Sequence, residues 1–106
     1  MDWEKIEWHD GVIQRLVVDF SEDSICELYV NLPLSATSAE RTNYRITVRG
    51  LIRLNSNLDV LSLLRHRSFG NISDGKVFLD PPERLILILA EGYLEAVGSK
   101  LECSEL

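Results

Sequence analysis

Two cysteines, two histidines, one methionine and three prolines are all that the 106 residues hold of those types. Each scarcity excludes something. The longest apolar run, Leu85-Ile86-Leu87-Ile88-Leu89-Ala90, falls far short of the ~18–20 residues that cross a bilayer, so no membrane partner is expected. The opening Met1-Asp2-Trp3-Glu4-Lys5 is acidic and aromatic, the opposite of a signal peptide, which leads to the expectation of a cytoplasmic protein. Cys26 and Cys103 fall on strand faces that should be buried, and are expected to be reduced core residues. Without clustered histidines they are too few for a structural zinc site.

Catalytic patterns are scarce too. The glycines stand singly at turns, so no loop cradles phosphate, and no serine carries an elbow motif. His9-Asp10 resembles the metal pair of phosphohydrolases, but it precedes a strand, and the only other histidine is His66. The simpler reading is a turn in which Asp10 bonds its own backbone before Gly11, with His9 half-buried. His66, in Arg65-His66-Arg67, suits a helix end, where the dipole favours positive charge. Acidic pairs such as Glu22-Asp23 read as solvated turns. No catalytic residue, cofactor or metal is expected, and the chain is read as a non-enzyme.

What the chain does have is alternation. Val12, Leu16, Val18 and Phe20 share one face of a strand with Gln14, opposite Arg15 and Asp19. After the polar Ser21–Ser24 turn, Cys26, Leu28, Val30 and Leu32 alternate with Glu27, Tyr29 and Asn31. Together these predict a hairpin, ended or edged by Pro33. A polar loop over 35–43 leads to a third run. There Tyr44, Ile46, Val48, Ile52 and Leu54 should face inward and Arg45, Thr47, Arg49, Leu51 and Arg53 outward. Gly50 within it predicts a bulge, a bend or a close approach.

Asn55-Ser56-Asn57 offers helix caps, and Leu58, Leu61 and Leu64 follow at helical spacing, predicting a short helix from about 57 to 67 stopped by Gly70-Asn71. Asp74-Gly75 reads as a turn, Lys76 to Leu79 as a short strand, and Pro81-Pro82 as its end. Residues 84–90 are apolar on both faces, predicting a central strand covered on one side by the helix. Tyr93–Val97 and Leu101–Cys103 read as further strands. No linker or repeat divides the chain, so residues 1–106 are read as one domain. The predicted fold is mainly β, bordering α+β: a curled, mostly antiparallel sheet of about six strands with one short helix packed on it.

Charge is uneven. Of the net −6, residues 1–27 carry −6, residues 28–76 carry +4 and residues 77–106 carry −4. Such a chain repels nucleic acid as a whole and suits a cationic partner. Arg45, Arg49 and Arg53, four apart on a strand, would lie about 13 Å apart on one face. They are read either as cross-strand partners of acids such as Asp19 and Glu27 or as a basic stripe for an anionic partner such as RNA. Trp3 and Trp8, beside Glu4, Glu7 and Asp10, are read as core residues or as an exposed aromatic anchor steered to a basic protein.

The order Trp8-His9-Asp10-Gly11, then Cys26-Glu27-Leu28-Tyr29-Val30-Asn31-Leu32, then Tyr44-Arg45-Ile46-Thr47-Val48-Arg49-Gly50-Leu51 resembles small bacterial β-rich families of unknown function. Relatives of that kind are classed as immunity proteins of polymorphic toxin systems. The resemblance implies a non-enzymatic protein that binds and blocks a protein partner such as a basic toxin. It assigns no functional residues. The partner-binding candidates are therefore Trp3, Trp8, Arg45, Arg49 and Arg53. The alternatives are nucleic-acid binding through the arginines, a small apolar ligand in the curved sheet, and a homodimer formed through an exposed strand edge.

Overall fold

A computed structural model describes residues 2–67 and 70–106. A 3₁₀ turn at Trp3–Lys5 is followed by β1 (Val12–Asp19), β2 (Ile25–Pro33), β3 (Arg41–Arg49), β4 (Arg53–Leu58), α1 (Val60–Arg65), β5 (Ile72–Phe78), β6 (Glu83–Leu89), β7 (Gly92–Gly98) and β8 (Lys100–Glu105). The strands form two four-stranded sheets, ordered β1-β2-β3-β8 and β4-β7-β6-β5. Every ladder is antiparallel. The fold is thus mainly β and antiparallel, as expected, with eight strands in two packed sheets where the alternating runs suggested about six in one curled sheet.

β2 follows its alternation without interruption. Cys26, Leu28, Val30 and Leu32 are buried, and the strand ends at Pro33. Across the interior they join Ile46 and Val48 of β3, Leu85, Leu87 and Leu89 of β6, Leu94 and Ala96 of β7, and Leu101 of β8. β3 meets β7 and β6 meets β8 between the sheets. β6 is therefore covered on its inner side by the opposite sheet and not by the helix.

The two sheets are joined by a shared corner. β3 pairs with β8 and β4 with β7, so residues 41–58 and 92–105 form one long ribbon that changes sheet midway. Gly50 makes the bend with φ 57°, in the left-handed region that side chains disfavour. Ser99 sits on it: its N–H and hydroxyl both donate to the Arg49 carbonyl, at 2.9 and 3.0 Å. The bend shifts the alternation. Leu51 turns inward and Ile52 outward, the reverse of the reading carried straight through Gly50.

A second phase shift lies in β1. The ladder with β2 runs Ile13↔Val30, then Arg15↔Tyr29, leaving Gln14 as a bulge. Ile13 faces the core before it, and Leu16 and Val18 after it. Phe20, on the same phase, lies beyond the strand end and is 84% exposed, against the expectation that it faces inward.

The helix also departs from expectation. Asn55, Ser56 and Asn57 pair with Glu95, Leu94 and Tyr93 in β4, and do not cap a helix. The cap is Asp59, whose carboxylate accepts the Ser62 N–H at 3.0 Å. One turn and a half follows, with Ser62 buried and Leu63 packed on the core, while Val60, Leu61 and Leu64 are exposed. Asp74-Gly75, read as a turn, lies inside β5 beside a bulge at Ser73.

Buried Asn71 ties these parts together. Its side-chain oxygen accepts the Ile13 N–H at 2.9 Å, and its amide donates to the Leu63 carbonyl at 3.4 Å. Its backbone N–H donates to Gly11, and its carbonyl accepts from Ala90, each at 2.9 Å. Asn71→Ala leaves the Ile13 N–H unpaired, so it should lower unfolding free energy by about 1–3 kcal/mol in urea titration. Gly75 provides the slot for Trp8, since an added Cβ would lie 2.5 Å from Trp8 Cδ2. Gly75→Ala should therefore destabilise by about 1–3 kcal/mol and change tryptophan fluorescence, as an overpacked core does.

Candidate interaction surfaces

The tryptophans do not form an exposed pair. Trp8 is buried against Gly75, so its place in an aromatic anchor is corrected: a ring filling a core slot has no face to offer. Trp3 is half-buried, held by a turn in which the Asp2 carboxylate accepts the Glu4 N–H at 3.1 Å. It borders an open groove with Val77 and Phe78.

Arg45, Arg49 and Arg53 do not form one stripe. The Gly50 corner leaves Arg45 and Arg49 on the outer face of the first sheet and carries Arg53 to the second. Each also has a carboxylate beside it. Arg45 Nε lies 3.8 Å from Glu27, Arg49 Nε 3.1 Å from Glu102, and Arg53 Nε 3.7 Å from Glu95. Glu27 had been anticipated as a partner; Asp19 makes none of these pairs. Pairs this exposed add about 0–1 kcal/mol of stability each, but they neutralise the positive potential an RNA would need.

His9 is exposed, not half-buried; its Nδ1 lies 3.1 Å from the Ser73 carbonyl and its Nε2 3.7 Å from Asp10. Asp10 has φ 67° in a turn closed by Gly11 N–H donating to the Trp8 carbonyl at 2.9 Å, while the Arg41 guanidinium donates to the Asp10 carbonyl. Among the described residues, no three His, Cys, Asp or Glu side chains gather around a common point. Among the described residues, no helix is long and apolar enough to cross a membrane.

The outer face of the second sheet is more informative. Its register sets Phe78, Arg84, Val97 and Arg53 in one row. Lys76, Ile86, Glu95 and Asn55 form the next, and Asp74, Ile88, Tyr93 and Asn57 the third. Glu95 is the polar centre, with its side chain 17% exposed. It lies 3.7 Å from Arg53 and 3.6 Å from Arg84, and accepts from Asn55 Nδ2 at 3.2 Å. Arg84 in turn lies over the Phe78 ring, 4.4 Å from its centroid. Beside this network Ile88 and Tyr93, directly paired across the strands, are 46% and 44% exposed. The sequence marked β6 as apolar on both sides, but only the inner side is covered. These residues were missed because two-sided hydrophobicity was taken for two-sided burial.

A second apolar region is a groove of about 530 Å³ between β1 and α1. Val12, Ile13 and Leu16 form one wall, Leu58, Leu63 and Leu64 the other, with Arg15 and Arg67 at the rim. It is open to solvent, unlike the enclosed cavity that a carrier of small apolar ligands would need.

The cysteines are unpaired thiols. Cys26 opposes Val48 and Cys103 opposes Ile46, so they do not face each other in the ladder. Burial pushes both thiols up to about 11, with the neighbouring Glu27 adding to the effect at Cys26. The folded chain therefore keeps two protons that the unfolded chain releases sooner. Stability should be unaffected below the ordinary thiol range and fall as pH rises from that range through about 11. Ellman's reagent at pH 8 should react slowly with the native protein and at once with both thiols in denaturant.

Comparison with protein-family models, with curated proteins and with solved structures returned no match.

Proposed function

We propose that this chain is a non-enzymatic, cytoplasmic protein-binding module that docks a protein partner on the outer face of its second sheet. The observation that carries this reading is the exposed Ile88–Tyr93 pair beside the Glu95 network. Interfaces draw their energy from a few rigid aromatic, aliphatic and arginine side chains within a polar surround. Here Tyr93, Ile86 and Ile88 supply the apolar centre. Arg53 and Arg84, already held by Glu95, lose little freedom when covered.

The net charge of the whole chain, and not that of the docking face itself, favours a basic partner. A net charge of −6 draws a cationic protein toward this chain, and the effect is on association rate more than on the bound state. The resemblance to immunity-type families gives the concrete form: a bacterial inhibitor that blocks a toxin by covering it. The RNA alternative has less support, since its three arginines are divided between sheets and each lies beside a glutamate.

The test is co-expression with the products of the genes immediately beside this one, a toxin-like product being expected among them, followed by calorimetry on any purified pair. A complex should form, with association slowed by salt. Ile88→Asp combined with Tyr93→Ala should weaken it by about a hundredfold or more, with the circular dichroism unchanged. Absence of a complex, or an affinity indifferent to both substitutions, would overturn the reading.

A further inference from the structure

β1 is an edge strand that pairs with β2 on one side only. On its other side, among the described residues, only the start is engaged: Gly11 and Ile13 bond to Asn71 and Ile72. Past the Gln14 bulge, residues 15–19 run regularly and present a free backbone edge. Three further observations meet at this edge.

The first is its order of side chains. Arg15, Val17 and Asp19 lie on the outer face, and Leu16 and Val18 on the inner. Read in the opposite direction, the same segment matches itself. An antiparallel copy centred on Val17 sets Val17 against Val17, Leu16 against Val18, and Arg15 against Asp19. The second is that neither of these two charges faces an opposite charge. Among the described residues neither forms an ion pair. Arg15 lies over the Tyr29 ring, 5.2 Å from its centroid, and Asp19 accepts the Ser21 N–H at 2.8 Å, both on the solvent side. The third is Phe20, the most exposed large apolar residue described, sitting on the core phase just beyond the strand end. In the register centred on Val17, Phe20 of one copy falls opposite Gln14 of the other. Gln14 lines the apolar groove between β1 and α1.

We infer that two copies of this chain associate through β1 in an antiparallel, two-fold arrangement. Each Phe20 enters the other copy's β1–α1 groove, and each Arg15 faces the other copy's Asp19. The strand edges supply backbone hydrogen bonds and set the register. The two-fold axis makes the contact self-limiting, because one patch meets the same patch and no free edge of β1 remains. The groove of about 530 Å³, walled by Ile13, Leu16, Leu63 and Leu64, is roomy enough for a phenyl ring. The outer face of the second sheet stays open in this dimer, so the inference does not depend on the proposed partner there.

Sedimentation equilibrium of the full chain, with charge-swapped variants, tests it. The wild type should sediment as a dimer at high micromolar concentration. Arg15→Asp places acid against acid and Asp19→Arg places base against base, so each alone should yield a monomer. The double variant R15D/D19R restores opposite charges and should recover the dimer. Arg15→Asp leaves the Asp19–Ser21 turn bond intact, so its effect is separate from any effect on the hairpin turn. Phe20→Ser should weaken association by about tenfold to a hundredfold, as loss of a buried aromatic ring does. Chains carrying V17C should be joined by a short bismaleimide, while the wild-type thiols, sheltered in the fold, should not. A wild type that stays monomeric overturns the inference. So do dimeric single-charge variants, a folded double variant that stays monomeric, a Phe20→Ser chain that associates as the wild type does, or V17C chains that fail to join.

Discussion

The corner at Gly50 and Ser99 is the constraint on which the rest of the molecule depends. Two hydrogen-bonded strands turn there together, so one long ribbon supplies the end of both sheets. A left-handed glycine allows the turn, and Ser99 donates twice to the Arg49 carbonyl beside it. Once the ribbon folds over, β2 and β6 can set their apolar faces against the same interior. Neither sheet could bury its leucines and isoleucines alone.

The same corner decides what lies outside. It separates Arg53 from Arg45 and Arg49, and so removes the continuous basic stripe. It brings Arg53 beside Glu95, where the guanidinium becomes part of a fixed polar network on the second sheet. The exposed apolar residues on that sheet are then set in a rigid frame. Those on β1, α1 and Phe20 belong to a different place, the free edge of the first sheet. Among the described residues, two unsatisfied surfaces thus differ in character: a flat one with its polar groups already paired, and an edge with open backbone groups and charges outside any ion pair.

Asn71 has a complementary role. A single buried asparagine joins the start of β1 and α1 through its side-chain amide and the β6–β7 turn through its backbone carbonyl, which are the parts the ribbon does not hold. Because its polar groups are matched, it adds direction where leucine packing would add only cohesion. The β1–α1 groove lies open beside it, walled on the helix side by Leu63 and Leu64 of a helix only six residues long.

Much of the fold was legible locally. The mainly β class, the β1–β2 hairpin, the uninterrupted faces of β2, the bend at Gly50 and the breaks at Pro33 and Pro81-Pro82 follow from alternation and backbone chemistry, which are properties of neighbouring residues. Tertiary structure decided whatever required knowing the partner strand. It gave Asn55–Asn57 to β4, because β7 offered a ladder where the helix offered only one more turn. It shifted the phase at Gln14 and Gly50, turning Ile13 and Leu51 inward and Ile52 outward, and it ended β1 before Phe20, which is left exposed. It placed Trp8 in the core, because Gly75, distant in sequence, left a slot of the right shape. It left β6 bare on one side, although an apolar side chain reads the same in sequence whether or not anything covers it. The sequence by itself settles which side chains prefer to leave water; only the folded chain settles which of them find cover.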